Sequence, residues 1–288
     1  MRRTAARGVE AVWRGVASAA AGLGRWKPHE WRSAGGQRVL VVAPHPDDEI
    51  GCGGTMLLHR HAGDEIHLVH VTDGRGSRAA GLGPDEMAER RRVEAGAAAR
   101  ALSLEPGERH WLGLREWEWD EAALVATLRD LLQRLQPHII YAPSCVDFHP
   151  EHTKTARSLA QALSAVQASP AQLRIYQIQV PLTPLLANLL APIAAVADDL
   201  TTVARCYRSQ LGSIERCLRM KRYGGSLYGR AGWVEEFWQL DQGAYQRLHA
   251  TTPVGGRFRA LRARPTTDPL SYLFGLGARR ALRDGSEQ

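Results

Sequence analysis

Along the first half of the chain, runs of apolar residues alternate with stretches whose apolar positions recur at helical spacing. A continuous apolar run is typical of a strand buried on both faces, whereas a 3.6-residue period is typical of an amphipathic helix. The predicted strands are Arg38–Ala43, Glu65–Thr72, His110–Leu114 and His138–Pro143, and the predicted helices are Thr55–Ala62, Gly83–Leu104, Leu124–Leu135 and Thr155–Ala168. This alternation predicts an α/β fold of three layers with a mostly parallel, Rossmann-like sheet.

The second half is less regular. Alternation over Leu173–Val180 predicts a strand, residues 194–197 predict another, and Leu200–Tyr223 is expected to form one long helix. Residues 181–192 are apolar and bounded by prolines. They are expected to complete the core, with an oligomer interface or a lipid-facing approach as the alternatives.

Charge divides the chain into three regions. The formal net charge is +7, and residues 1–35 hold seven basic residues against two acidic ones. Residues 257–288 hold seven arginines against three acidic residues, so the basic character is peripheral. We therefore predict a basic N-terminal extension (1–35), a central domain (36–250) and a basic C-terminal tail (251–288). Both ends are expected to be solvated, with contact to an anionic membrane surface or glycan precursor as the alternative and no nucleic-acid partner.

Cysteine usage and hydropathy indicate the compartment. The four cysteines form no C-x-x-C pair and no dense framework, which is typical of a reducing cytoplasm. The N-terminal run Val16–Leu23 is too rich in alanine to predict a signal peptide, and the sequence has no run of eighteen apolar residues that could span a bilayer. We predict a cytoplasmic protein, with membrane association and oligomerisation left open.

A turn crowded with charge follows the first predicted strand. It carries His45, Asp47, Asp48 and Glu49 within five residues. Carboxylates this close repel one another and raise each other's pKa, so a cation is expected among them. His45 and Asp48 are three residues apart and can face one divalent metal ion.

A second cluster follows the fourth predicted strand. Asp147, His149 and His152 stand in an Asp-x-His-x-x-His pattern at the start of a helix, so both imidazoles can lie on one side of its first turn. Two such clusters at the ends of parallel strands predict one metal site. Asp73 ends another strand and either points into the same crevice or caps a turn.

Two further segments carry charge or aromatic residues. Tryptophans and acids alternate over residues 115–120. Such a loop suits a sugar ring, although it could equally cover a hydrophobic edge. The charges of Arg90, Arg91 and Glu94 are expected on a solvated helix face.

Taken in order, these motifs resemble those of the PIG-L/LmbE-like family of zinc-dependent N-deacetylases. The resemblance spans residues 37–245 and rests on the segments Ala43–Glu49, Gly53–Gly54, Thr72–Gly74, Leu112–Leu114, Asp147–His152 and Tyr207–Leu211. It implies a Zn²⁺ site of His45, Asp48 and His152. It further implies that Asp47 is the general base and that His149 polarises the reacting carbonyl or protonates the leaving amine.

Two positions depart from the family pattern. Arg115-Glu116 replaces the Pro-Asp that the family commonly has, and Glu151 replaces an aspartate. Substrate binding is a further expectation for Asp73, Arg75 and Glu116. Glu49 is expected to bond backbone amides or to orient His45.

The expected function is a hydrolase that removes an N-acetyl group from an amino sugar or glycoconjugate. Two histidines and one carboxylate leave a zinc position open for water, which is the catalytic pattern. The alternatives are amide hydrolysis of a small non-sugar conjugate and a glycan- or lipid-binding protein with an inert metal site. The same ligands accept Fe²⁺, Co²⁺ or Ni²⁺.

Overall fold

A computed structural model describes residues 8, 11–19, 27–147, 149–166, 171–251 and 275–286. The strands are β1 His29–Glu30, β2 Arg38–Ala43, β3 Glu65–Thr72, β4 Arg109–Leu114, β5 Ile139–Ala142, β6 Gln172–Tyr176, β7 Leu189–Pro192 and β8 Val234–Leu240. The helices are α1 11–19, α2 Gly53–His61, α3 Pro84–Ala101, α4 Glu121–Leu135, α5 Pro150–Ser164, α6 Thr183–Leu186, α7 Ala197–Ala204, α8 Leu211–Leu227, α9 Gln242–Thr251 and α10 Leu276–Ser286.

The eight strands within the described residues form one sheet in the order β1-β7-β8-β6-β5-β2-β3-β4. Every neighbouring pair is parallel except the two pairs that β8 makes, which are antiparallel. The sheet is therefore mostly parallel and flanked by helices, as predicted.

Side chains of β2 alternate between the two faces of the sheet. Val39 and Val41 join the apolar core formed with α2, α3 and α7, whereas Leu40 and Val42 join the core formed with α4, α5 and α9. Leu124, Leu128, Leu131 and Leu132 of α4 lie in the second core and are at most 2% exposed, and Leu135 packs against this core while partly buried. Burial of one such leucine contributes up to about 1.5–3 kcal/mol. These two cores confirm the three-layer architecture.

The strand order reverses at β2. From β2 the chain passes through α2 to β3 on one side and later returns to β5 on the other side. The carboxyl ends of β2 and β5 are therefore neighbours, and in open parallel sheets ligands bind at this switch point. Both predicted clusters follow these two strand ends.

Two predictions for the second half are wrong. Residues 194–196 form a 3₁₀ turn rather than a strand. The predicted helix Leu200–Tyr223 is divided into α7 and α8, separated by a 3₁₀ turn at Arg208–Gln210. The break has a tertiary cause, because the hydroxyl of Tyr207 donates to Glu49, and Ser209 donates both N–H and hydroxyl to Glu94.

Residues 181–192 belong to the core. They contain α6 and β7, and Leu182, Leu186 and Leu190 are at most 2% exposed. Helix α10 packs against α6 and α9 and buries Arg279, whose Nε donates to the carbonyl of Pro181 at 2.8 Å. The domain division at residues 35 and 250 stays a prediction, since much of both ends lies outside the described residues. No helix in the described ranges has the length and apolar character needed to cross a membrane.

Strand β8 caps the helix that follows the first cluster. Glu235 is 1% exposed, and its carboxylate accepts the N–H groups of Gly54 and Thr55 at 2.9 and 2.7 Å. Lys221 in α8 neutralises this carboxylate at 2.6 Å and donates to the carbonyl of Gly51 at 2.9 Å. One buried ion pair thus fixes the start of α2.

Lys221→Met is expected to lower the free energy of unfolding by about 3–5 kcal/mol, because it leaves the Glu235 carboxylate buried without its cation. Urea denaturation measures the change. Arg134→Met is the matched control: it removes an exposed partner of Asp130 on α4 and should cause no measurable change. Equal urea midpoints for the wild type, Lys221→Met and Arg134→Met would contradict a stabilising role for the Lys221–Glu235 ion pair.

His249 predicts an acid dependence of stability. Its Nδ1–H donates to the carbonyl of Tyr245 at 2.9 Å and its Nε2 accepts the N–H of Cys145 at 3.3 Å, so the ring is buried and neutral. Burial lowers its pKa from 6.5 to about 4, although the bond to Tyr245 opposes the shift. The unfolded chain therefore binds more protons between these values, and stability falls as the pH falls from 6.5 to about 4.

The expected loss from this one residue is about 3 kcal/mol. Urea unfolding of the wild type and of His249→Gln at pH 7, 5.5 and 4.5 tests it, since glutamine can replace both hydrogen bonds but does not titrate. The variant should show the shallower pH dependence. Parallel curves would show that His249 does not titrate as described.

Candidate metal centre

The turn after β2 folds its own side chains inward. Asp48 begins a 3₁₀ turn, and its Oδ2 accepts the backbone N–H of His45 at 2.8 Å. Asp47 has φ 110°, a left-handed conformation that costs a non-glycine residue about 1–3 kcal/mol. Such strain is typical of functional sites, and here it turns Asp47 and Asp48 in different directions.

The turn after β5 leads directly into α5. Asp147 Oδ1 accepts the N–H of His149 at 3.0 Å, and His149 occupies the N-cap position ahead of Pro150. His152 consequently lies in the first turn of α5 and is fully buried. The local geometry is the one expected from the Asp-x-His-x-x-His spacing.

Three ligand atoms from the two turns meet at one point. His45 Nδ1 lies 3.0 Å from His152 Nε2 and 3.1 Å from Asp48 Oδ2, and His152 Nε2 lies 3.2 Å from the same carboxylate oxygen. All three side chains are at most 8% exposed. The structure therefore brings the predicted ligand set together.

Two carboxylates on the outer side of the cluster orient its imidazoles. Glu116 Oε1 lies 3.1 Å from His45 Nε2, and Asp147 Oδ2 lies 3.0 Å from His152 Nδ1. A carboxylate only accepts hydrogen bonds, so each ring places its proton on this outer nitrogen. The inner nitrogens then present lone pairs to one another and to Asp48. Such a donor set fits a cation.

The pKa values show the same preference for positive charge. Burial disfavours a charged His45, yet its hydrogen bonds to Asp48 and Glu116 raise its pKa to about 9. The pKa of His152 is also raised, because Asp48 and Asp147 outweigh the effect of burial. Burial opposes ionisation of Asp48, but the two imidazoles hold its pKa well below the usual range. The same carboxylates would stabilise a divalent cation placed between the imidazoles.

His149 lies beside these three residues. Its ring centroid is 4.7 Å from that of His45 and 4.8 Å from that of His152. The three histidines can each offer one nitrogen within 4.8 Å of the others, so His149 is itself close enough to contribute to a metal centre. Unlike His45 and His152, it is half-buried.

Asp47 faces Arg91. The guanidinium Nη2 of Arg91 contacts Asp47 Oδ1 and donates to the carbonyl of Pro46, and Glu49 Oε2 accepts the backbone N–H of Asp47 at 3.0 Å. Burial raises the pKa of Asp47 to about 7 against the opposing charge of Arg91, and Asp48 and Glu49 add to the rise. A carboxyl with this pKa can accept a proton near neutral pH.

Glu49 supports the turn from beneath. It is fully buried, and its carboxylate contacts the Tyr207 hydroxyl, His70 at 3.3 Å and the N–H of Asp47. The expected bond to a backbone amide is therefore present.

The prediction that Arg90, Arg91 and Glu94 lie on a solvated face of α3 is wrong in part. Arg91 and Glu94 are 4% and 5% exposed, because Arg91 reaches the Asp47 turn and Glu94 holds Ser209. The sequence gives no local signal for these contacts, since both partners lie far away along the chain.

The three expected substrate-binding residues are bonded to one another. Arg75 Nε donates to Asp73 at 2.7 Å and its Nη1 donates to Asp85 at 2.7 Å. Glu116 accepts the N–H of Gly76 at 2.6 Å and donates its own N–H to Asp73 at 3.3 Å. Glu116 also contacts His45, so the acid that the sequence suggested for substrate lies against a predicted metal ligand. Substrate binding by these residues stays a prediction.

The two tryptophans of the 115–120 loop have opposite surroundings. Trp119 is buried, its Nε1–H donates to Glu151, and Lys154 Nζ lies 3.5 Å from its ring centroid. Trp117 is 52% exposed, and its ring centroid lies 5.2 Å from that of His149. Trp119 covers the core, which is one of the two interpretations of this loop, and Trp117 borders the site, where sugar binding stays a prediction.

Residues 40–163 match the family model described as PIG-L: GlcNAc-PI de-N-acetylase. The chain is 29% identical over 164 residues to the 1D-myo-inositol 2-acetamido-2-deoxy-alpha-D-glucopyranoside deacetylase of Kineococcus radiotolerans, which covers 44% of this chain and 45% of that protein. It is 27% identical over 140 residues to the probable N-acetyl-alpha-D-glucosaminyl L-malate deacetylase 2 of Bacillus anthracis, covering 45% and 61%.

Among solved structures, the fold is similar to that of N,N'-diacetylchitobiose deacetylase from Pyrococcus horikoshii, with a TM-score of 0.63 and 25% identity over 73% of this chain and 85% of that one. The chain spans about half the length of the curated relatives it matches. The matched segment 40–163 contains both turns of the candidate metal centre, and over this segment the chain is similar to the PIG-L family.

Proposed function

We propose that this protein is a metal-dependent hydrolase that removes the N-acetyl group from an amino sugar or glycoconjugate. The observation that carries the proposal is the meeting of His45, Asp48 and His152 within 3.0–3.2 Å of one another, with Asp47 and His149 as neighbours. A buried donor set of this kind suits a catalytic metal.

His45, Asp48 and His152 are the proposed ligands. Asp48 is preferred to His149 because its carboxylate oxygen lies within 3.2 Å of both facing nitrogens. Zn²⁺ is the proposed ion, since two imidazoles and one carboxylate suit it, and Fe²⁺, Co²⁺ and Ni²⁺ are the competitors. When bound, such an ion makes water acidic enough to supply hydroxide near neutral pH and polarises a carbonyl oxygen.

Asp47 is the proposed general base. Its raised pKa suits proton uptake from a water beside the cluster. Arg91 holds the carboxylate by one oxygen, and the strained backbone keeps it from turning toward Asp48. An exposed aspartate would lack both the raised pKa and the fixed direction.

His149 is the proposed partner of the reacting amide. Its ring lies between the buried histidines and the exposed Trp117. A protonated imidazole here can stabilise the negative charge that develops on the amide oxygen, or it can donate a proton to the departing amine.

The substrate class is supported by the relatives. The three named proteins are deacetylases of N-acetylated sugars, and the matched family model is named for a de-N-acetylase. The carrier of the sugar, the oligomeric state, membrane contact through the basic termini and cytoplasmic localisation stay predictions. A small non-sugar amide and an inert binding site are the outcomes against which the proposal is tested.

Metal content tests the ligand set. The wild type purified with zinc is expected to hold about one equivalent by mass spectrometry, and His152→Ala and Asp48→Ala are expected to lose it. Glu116→Ala should weaken zinc binding by about 10- to 100-fold, since it removes the carboxylate that accepts the outer N–H of His45. His67→Ala is the matched control, because its histidine pairs with His110 elsewhere in the sheet. Zinc retained by His152→Ala at unchanged affinity would refute this ligand set.

Catalysis tests the role of Asp47. Asp47→Asn should lower kcat by about 10²- to 10⁴-fold at unchanged zinc content, because the amide cannot accept the proton. Released acetate and free amine from N-acetylated amino sugars measure the rate, and Asp198→Asn, at an exposed position of α7, is the control. Full activity in Asp47→Asn would remove the mechanism, and no amine from any amide would favour the inert binding site.

A further inference from the structure

Trp117 is placed at the mouth of the candidate site. It lies between β4 and α4, is 52% exposed, and its ring is tilted by 33° to that of His149 at 5.2 Å between centroids. Most large apolar side chains of the described chain are buried or half-buried, so this exposure is unusual. An exposed indole next to a catalytic histidine offers an apolar face to whatever reaches that histidine.

The backbone of the loop is strained at the residue whose side chain it exposes. Trp117 has φ 73°, a left-handed conformation that is a genuine outlier for a bulky side chain. The loop is anchored inward on both sides of Trp117: the preceding Glu116 contacts His45, and Trp119, two residues further on, contacts Glu151. Between these two anchors, the strained backbone turns the indole of Trp117 toward solvent. Strain of this kind persists where the surrounding structure over-determines it, and it is typical of ligand sites.

A second loop makes room for the indole. A Cβ atom on Gly76 would lie 2.7 Å from Trp117 Nε1 and 2.8 Å from Glu116 Oε2. The N–H of Gly76 donates to Glu116 at 2.6 Å. The position of Trp117 therefore depends on the absence of a side chain at residue 76. The indole is packed against this second loop and borders the site.

We infer that Trp117 is a specificity-determining residue whose indole stacks on the apolar face of the sugar ring that carries the N-acetyl group. The inference rests on the proposed function and deepens it. A pyranose presents C–H groups on one face and hydroxyl groups at its rim, so an indole can cover that face while the rim stays hydrated. His149, beside the indole, is then within reach of the acetamido group on the same ring. A linear amide would reach His149 without gaining this contact.

The test compares Trp117→Ala and Trp117→Phe with the wild type, each loaded with zinc. For methyl N-acetylglucosaminide, Trp117→Ala is expected to raise KM about 10-fold and to change kcat by less than about two-fold, since stacking contributes to binding rather than to the chemical step. Trp117→Phe should restore most of the affinity. For N-acetylethanolamine, which has no ring, all three proteins should have equal kcat/KM.

Glu118→Ala is the control for disturbance of the loop, because Glu118 is exposed next to Trp117 and pairs only with exposed Arg115. It should behave as the wild type. A merely structural role for Trp117 would lower the melting temperature and affect both substrates alike. Equal KM for the sugar in wild type and Trp117→Ala would overturn the inference and leave the proposed hydrolysis standing.

Calorimetric binding of methyl glucosaminide, the deacetylated sugar, separates the two proposals. If the wild type binds this sugar and Trp117→Ala does not, the stacking of the sugar on Trp117 is supported even if no amide is hydrolysed. Wild-type hydrolysis of linear amides without any measurable binding of either sugar would overturn it.

Discussion

The contact on which the site depends is the approach of two imidazole nitrogens and one carboxylate oxygen to within 3.0–3.2 Å. Their outer nitrogens face carboxylates, so the inner atoms all present lone pairs, and this arrangement is stable only with positive charge between them. The fold supplies the approach. His45 and His152 are separated by more than a hundred residues, but they follow β2 and β5, which are neighbours in the sheet. A parallel sheet whose order reverses at β2 necessarily puts these two turns side by side.

Holding such a cluster requires a rigid surrounding. The turn after β2 is supported by the buried network of Glu49, Tyr207 and His70, and the helix after it is fixed by Glu235 and Lys221. Each of these carboxylates is fully paired, which matters because a buried carboxylate without partners would cost more than its packing gains. The polar groups beneath the site therefore stabilise its geometry, while the flanking apolar cores provide the free energy of folding.

The sequence predicts those features that depend on local pattern. Strands β2 and β5 are mainly apolar runs, β3 and β4 combine apolar residues with histidines, and the two clusters are recognisable from the density of ligand residues at strand ends. The sequence analysis does not identify strand β8, because Glu235 and Glu236 are buried on its two opposite faces, and adjacent glutamates indicate exposure when read alone. The same limit hides Arg91, whose burial depends on Asp47, and Glu116, whose orientation toward His45 only the folded chain reveals. In each case the partner that makes a buried charge stable lies far away in sequence.

The loop of residues 115–120 shows how chemistry and specificity can be set by neighbouring residues without conflict. Glu116 and Trp119 face inward, so a change at either would disturb His45 or the packing of α5. Trp117 between them faces outward and lies beside His149, which is not one of the three proposed ligands. The anchors keep the loop in one conformation, and that conformation fixes where the exposed side chain stands. In the proposed arrangement, Trp117 selects the substrate, and the contact of Glu116 with His45 both orients the metal centre and fixes the position of Trp117.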